Sequence, residues 1–225
     1  MELDLKKLKL RNINDKLQNL DRKKNQREFT IINPEGNHAI CAGLNEEMNV
    51  TIKGHVGYYC GGMNQKANIT IEGNVGTGVA ENMMSGKIHV KGNASQSAGA
   101  TAHGGLLVID GDASSRCGIS MKGADIIVKG SVGHMSGFMS QSGNLIVCGD
   151  AGEALGDSLY ETNIYIKGKV KSLGADCIEK KMDKKHIIKL KNFLKKANIK
   201  NLKAENFKRF GSARKLYNFK IDNNY

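Results

Sequence analysis

The sequence predicts an all-β fold: a single-stranded-type right-handed parallel β-helix of about seven 19-residue turns, with short helical attachments at both ends. Three observations predict it. A glycine recurs every nineteenth residue, at Gly54, Gly73, Gly92, Gly111, Gly130, Gly149 and Gly168. Before each glycine, apolar residues alternate as a strand does, as in Val50-Thr51-Ile52, Ile69-Thr70-Ile71 and Ile88-His89-Val90. Two residues after each glycine comes a small apolar side chain: Val56, Val75, Ala94, Ala113, Val132, Ala151 or Val170.

One strand per turn cannot close a core alone. Stacked side by side at about 4.8 Å, seven strands merge their apolar columns into a rod roughly 34 Å long. The glycines mark corners, where positive φ or a close backbone approach excludes a Cβ. Right-handedness is the general rule for parallel crossovers. A hexapeptide coil needs a period of six, which does not divide nineteen. The calcium-binding nonapeptide coil needs Gly-Gly-x-Gly-x-Asp, which the chain lacks. An imperfect turn is expected ahead of the seven, with Phe29-Thr30-Ile31-Ile32 as strand and Gly36 as corner. Cys41-Ala42-Gly43, nineteen residues before Cys60-Gly61-Gly62, then restores the register.

These elements divide the chain into an N-terminal cap over 1–28, the β-helix over 29–177 and a basic helix and arm over 178–225. Ile13, Leu17 and Leu20 form a helical stripe suited to covering an open solenoid end. Asp183 is placed to cap a second helix, whose Ile187, Leu190, Leu194 and Ala197 fall on one face. In the arm, Phe207, Phe210, Leu216 and Tyr217 lie among cations and are expected to dock on the coil or on a partner.

The net charge of +12 belongs to the ends. Nine basic against five acidic residues give +4 over 1–28, ten against thirteen give −3 over 29–177, and fifteen against four give +11 over 178–225. No nucleic-acid-reading motif accompanies the basic tail, so nucleic acid is not the expected partner. No apolar run approaches the roughly 20 residues of a membrane span, and the N-terminus lacks a signal peptide's apolar core. Five irregularly spaced cysteines suit a reducing cytoplasm and form no Cys-x-x-Cys pair.

No catalytic constellation emerges. His55 shares a column with Asn74, Asn93, Asp112, Ser131 and Asp150, the short polar set expected after a glycine corner. His103 and His134 stand alone in their columns, and the cysteines and methionines read as core fillers. No catalytic, cofactor-binding or metal residue is therefore assigned. One outward strand column changes character along the rod: Thr51, Thr70 and His89 are polar, whereas Val108, Ile127, Ile146 and Tyr165 are apolar. That apolar strip predicts a contact surface, for the chain's own C-terminal helix or for a partner subunit.

The runs Gly-His-Val-Gly-Tyr-Tyr-Cys (54–60), Ala-Glu-Asn-Met-Met-Ser-Gly (80–86), Arg-Cys-Gly-Ile-Ser-Met-Lys-Gly (116–123) and Gly-Glu-Ala-Leu-Gly-Asp-Ser (152–158) go beyond what a β-helix requires. With the spaced glycines, they resemble the GXGXG-repeat C-terminal domain of the glutamate synthase large subunit. The closest resemblance is to its stand-alone form in split glutamate synthase and N-methylglutamate synthase systems. The related module of formylmethanofuran dehydrogenase, a molybdenum or tungsten enzyme, is similar. The resemblance implies a non-catalytic scaffold subunit in ammonia assimilation. Its expected partners are a flavin-dependent barrel subunit, carrying FMN and an iron–sulfur cluster, and a glutamine amidotransferase subunit.

Overall fold

A computed structural model describes residues 1–20 and 26–214. Strand β1 (Glu2–Asp4) and helix α1 (Leu10–Gln18) precede the coil. The coil strands are β2 (Glu28–Ile32), β3 (Asn49–Lys53), β4 (Asn68–Ile71), β5 (Lys87–Val90), β6 (Leu106–Ile109), β7 (Lys122–Val128), β8 (Ser142–Val147) and β9 (Asn163–Ile166). Strand β10 (Cys177–Lys180), helix α2 (Lys184–Lys196), a 3₁₀ turn (Ala204–Asn206) and β11 (Lys208–Ser212) follow. All eleven strands form one sheet, ordered β1-β2-β3-β4-β5-β6-β7-β8-β9-β11-β10.

The 19-residue period is the register of that sheet: Ile52 pairs with Ile71, Ile71 with Val90, Val90 with Ile109 and Ile109 with Val128, all in parallel. Their side chains, with those of Ile69, Ile88, Leu107 and Ile126, fill a continuous interior that excludes solvent. A second ladder of single parallel bridges joins Val56, Val75, Ala94, Ala113, Val132, Ala151 and Val170. These are the small apolar residues placed two after each glycine.

The third side of each turn is an arc with three left-handed residues at alternate positions, for example Arg116 (φ 58°), Gly118 (φ 71°) and Ser120 (φ 51°). The outer two send their N–H groups to the following turn, Arg116 to His134 O and Ser120 to Phe138 O, both at 2.8 Å. The N–H of Gly118 points the other way, to Ala98 O at 2.8 Å. Alternating left-handed residues thus let one arc bond to both neighbours. The middle residue faces inward and must be small: a Cβ on Gly99 would lie 2.5 Å from Ile126 Cδ1.

The first turn departs from the expected register. β2 pairs with β3 at a spacing of twenty-one, Ile31 opposite Ile52. In the arc, Ala39, Cys41 and Gly43 carry the left-handed φ values of Tyr59, Gly61 and Met63, a spacing of twenty. Cys41 therefore corresponds to Gly61, and Ile40 to Cys60. Gly61 N donates to Ile40 O as Ala80 N does to Cys60 O. The nineteen-residue match of Cys41-Ala42-Gly43 to Cys60-Gly61-Gly62 is corrected accordingly. One extra residue enters at the corner, where Asn33 and Glu35 also adopt positive φ, and a second enters between the arc and β3.

Both ends are closed by dedicated elements. β1 adds a parallel rung, Leu3 opposite Ile31. α1 buries Ile13 and Leu17 against the first turn. Its polar residues satisfy the arc beneath: Asn14 Nδ2 donates to Ala39 O at 2.8 Å, Asn14 Oδ1 accepts from Cys41 N at 3.0 Å, and Gln18 Nε2 donates to Ala42 O at 2.8 Å. At the far end β11 runs antiparallel between β9 and β10, with Phe210 opposite both Ile164 and Glu179.

Candidate functional site

Building outward from the repeat, the first site-like arrangement is a polar ladder beside the glycine corners. Asn74 N donates to His55 Nδ1 (2.9 Å), Asn93 N to Asn74 Oδ1 (2.8 Å), and Asp112 N to Asn93 Oδ1 (2.8 Å). The series continues with Ser131 N to Asp112 Oδ1 (2.7 Å), Asp150 N to Ser131 Oγ (3.0 Å), and Lys169 N to Asp150 Oδ1 (2.7 Å). His55 is thereby a structural acceptor, with its Nδ1 committed to the next turn.

The ladder gives the glycine period its physical cause. A Cβ on Gly92 would lie 2.3 Å from Asn74 Oδ1, on Gly111 2.1 Å from Asn93 Oδ1, on Gly130 2.1 Å from Asp112 Oδ1 and on Gly168 2.2 Å from Asp150 Oδ1. Gly149 meets Ser131 Oγ in the same way, and Gly73 meets Gly54 O. Of the seven, only Gly54 has a positive φ, +129°. Close approach, not backbone conformation, sets the other six.

The outer face of the sheet is the second arrangement. Val108, Ile127, Ile146 and Tyr165 are buried under α2, in a second core with Leu190, Phe193, Leu194, Ala197, Ala204 and Phe207. The strip and Phe207 thus meet each other within one chain. Phe210 belongs to the main core instead, through β11. Tyr217 lies outside the described residues. This second core is incompletely satisfied among the described residues, where the buried Tyr165 hydroxyl and Asn144 Oδ1 find no hydrogen-bond partner.

Where α2 stops covering the sheet, a charged cluster begins. His89 Nε2 and Lys129 Nζ each lie 2.8 Å from Asp110 Oδ1, and Lys91 Nζ lies 3.8 Å from Oδ2. Burial opposes the Asp110 charge, but hydrogen bonds from Lys129 and His89 outweigh it and hold the carboxyl below its ordinary range. Burial pushes the His89 imidazole down more than Asp110 raises it. The columns of the repeat did not single out this cluster beforehand. Its signal was present as a row of alternating sign at nineteen-residue steps, Lys53, Glu72, Lys91, Asp110 and Lys129.

The thiols are poorly suited to chemistry. All five cysteines are free and buried. Burial raises Cys60 and Cys117 to about 12, and Cys148 and Cys177 to about 11. Their thiolates, the nucleophilic and metal-binding form, are strongly disfavoured. Among the described residues, no three His, Cys, Asp or Glu side chains are grouped to hold a metal ion. An open groove of about 520 Å³ on the arc face is lined by Ser120, Lys122, Met139, Gln141, Tyr160 and Glu161. The neighbouring Ser142 hydroxyl is held by Lys122 O at 2.9 Å. Among the described residues, no helix is long and apolar enough to cross a membrane.

A filled interior and glycine-spaced turns, stacked in parallel and tied by the polar ladder, define a repeat protein of the parallel β-helix class. The family profile described as the GXGXG motif matches residues 5–221. The chain is also 57% identical over 221 residues to Protein GlxC of Rhizobium meliloti (strain 1021), covering 98% of this chain and 97% of that protein. The chain belongs to the GXGXG motif family.

Proposed function

We propose that this chain is the non-catalytic structural subunit of a glutamate-synthase-type oxidoreductase acting in glutamate or N-methylglutamate formation in the cytoplasm. The observation that carries the reading is the filled interior: the strand columns occupy it from end to end, and the ladder and arcs use the polar groups for stacking. Membership of the GXGXG family supports the assignment to this type of assembly. In this reading, glutamine hydrolysis takes place on an amidotransferase subunit, and FMN and the iron–sulfur cluster reside on a flavin-dependent barrel subunit. The thiols of this chain do not fit a cluster cradle, because burial keeps them protonated.

Co-expression with the barrel and amidotransferase subunits tests the reading. The expected result is a stoichiometric complex whose glutamate-forming activity needs all three chains, with no turnover by this chain alone. A chain that binds neither subunit, or one that turns over substrate in isolation, overturns it. Molybdenum or tungsten in the purified assembly would move the chain to the formylmethanofuran dehydrogenase type.

A further inference from the structure

We propose that the outward face of α2 docks on an acidic surface of a partner protein, one of the subunits named above; the inference rests on that assembly reading and adds the surface used. Residues 178–214 hold thirteen Lys or Arg against three acids, a net +10, whereas the coil they cover is at −3. A solvated helix face ordinarily mixes signs at three- and four-residue spacing. α2 has six lysines and no acid.

The wheel of α2 orders these charges. At about 100° per residue, the buried Leu190, Leu194 and Ala197 fix the inward direction. Ile188 and Asn192 then run down the middle of the outward face. Lys184, Lys191 and Lys195 flank them on one side, and Lys185, Lys189 and Lys196 on the other. Ile188 is 62% exposed, an apolar anchor between two cationic rails. Among the described residues, only Lys191 of the six has an acidic partner, Glu205 at 2.6 Å.

Lys195 and Lys196 in the last turn suit the helix dipole, but the first turn is charged against it. Asp183 makes no side-chain capping bond, and the first turn carries Lys184 and Lys185 where acids are favoured. Lys185 and Lys189, and likewise Lys191 and Lys195, repel at four-residue spacing. An acidic surface relieves each of these conflicts at once.

A membrane surface is a poorer fit, because the apolar face of α2 is already seated on Val108, Ile127, Ile146 and Tyr165. A nucleic acid is also a poorer fit. α2 carries no arginine for bidentate contacts, and its one aromatic residue besides histidine, Phe193, is buried.

The test uses the full chain with the purified barrel subunit, the purified amidotransferase subunit and a duplex DNA as probes. The expected result is binding to one subunit that weakens at least about tenfold as salt rises from about 50 to about 500 mM. Lys185→Glu/Lys189→Glu/Lys196→Glu is expected to lose about tenfold or more at low salt and most of the salt dependence. Ile188→Asp is expected to weaken binding while leaving helix content unchanged, and Lys66→Glu, on the coil, to leave binding unchanged. Subunit binding that the triple variant and Ile188→Asp leave intact overturns this proposal while sparing the assembly reading. Binding to the DNA but to neither subunit overturns it in favour of nucleic acid. A wild-type chain that binds none of the three probes removes both readings.

Discussion

Asn93 Oδ1 accepts the backbone N–H of Asp112 at 2.8 Å and lies 2.1 Å from the point where Gly111 would carry a Cβ. One oxygen thus both ties two turns together and forbids a side chain at the corner between them. The same pairing recurs between Asn74 and Gly92, Asp112 and Gly130, and Asp150 and Gly168. Polar column and glycine column are two views of one constraint.

Gly111→Ala is therefore expected to cost about 2–3 kcal/mol by steric overlap alone, and Asn93→Ala about 1 kcal/mol for a lost acceptor. The double variant should lose clearly less than the two together, because the clashing oxygen is gone. Gly36→Ala is the contrasting control. With φ +74° and open space around it, only backbone strain remains, about 1 kcal/mol. Denaturant unfolding of the four variants checks the series, and strict additivity of the first pair would refute the shared constraint.

The seat of α2 makes a second prediction. Phe193→Ala should cost about 3–5 kcal/mol of local stability. It should speed amide exchange in α2 while leaving Ile71 and Val90 protected. Tyr165→Phe removes a buried hydroxyl that has no partner among the described residues and should be neutral or stabilising by up to about 1 kcal/mol. A large loss in Tyr165→Phe would mean that the hydroxyl has a bound partner.

His89 should titrate below its ordinary 6.5, because burial outweighs Asp110. The unfolded chain then binds the proton first, so stability falls as pH drops below 6.5. His186, also lowered chiefly by burial, acts in the same direction. Asp110, lowered from 3.8, adds stability above that value and loses it as pH falls through its folded value. Asp110→Asn removes what raises His89 and should move its NMR midpoint further down; an upward movement would contradict the arrangement.

The five thiols should resist alkylation in the native protein at neutral pH and react fully once it is unfolded. Rapid native labelling of Cys60 or Cys117 would contradict their burial.

Much of this fold is legible in the sequence because it is local and repeated. Ile52, Ile71 and Val90 announce their stacking through spacing alone, and Val108, Ile127, Ile146 and Tyr165 announce a covered strip. Which element covers that strip is a tertiary choice that periodicity leaves open. The ladder column was visible as short polar residues, but not that each reaches the next turn's N–H, since hydrogen-bond direction leaves no mark on composition. The first turn deceived because one residue inserted between its arc and β3 sets the arcs twenty apart, so that Cys41, nineteen residues before Cys60, is the counterpart of Gly61. β1 and β11 are short strands whose partners are remote in the chain, so neither Glu2–Asp4 nor Lys208–Ser212 carries a repeat signal.

The position of β11 has a consequence for biosynthesis. The coil can zip together rung by rung as it leaves the ribosome, each new strand finding its template already in place. β10 cannot, because its one sheet neighbour among the described residues, β11, is synthesised later, after α2 has crossed the sheet and the chain has turned back. Until Lys208–Ser212 emerges, the distal rim stays raw, and a nascent chain halted there offers β9 to any stray strand.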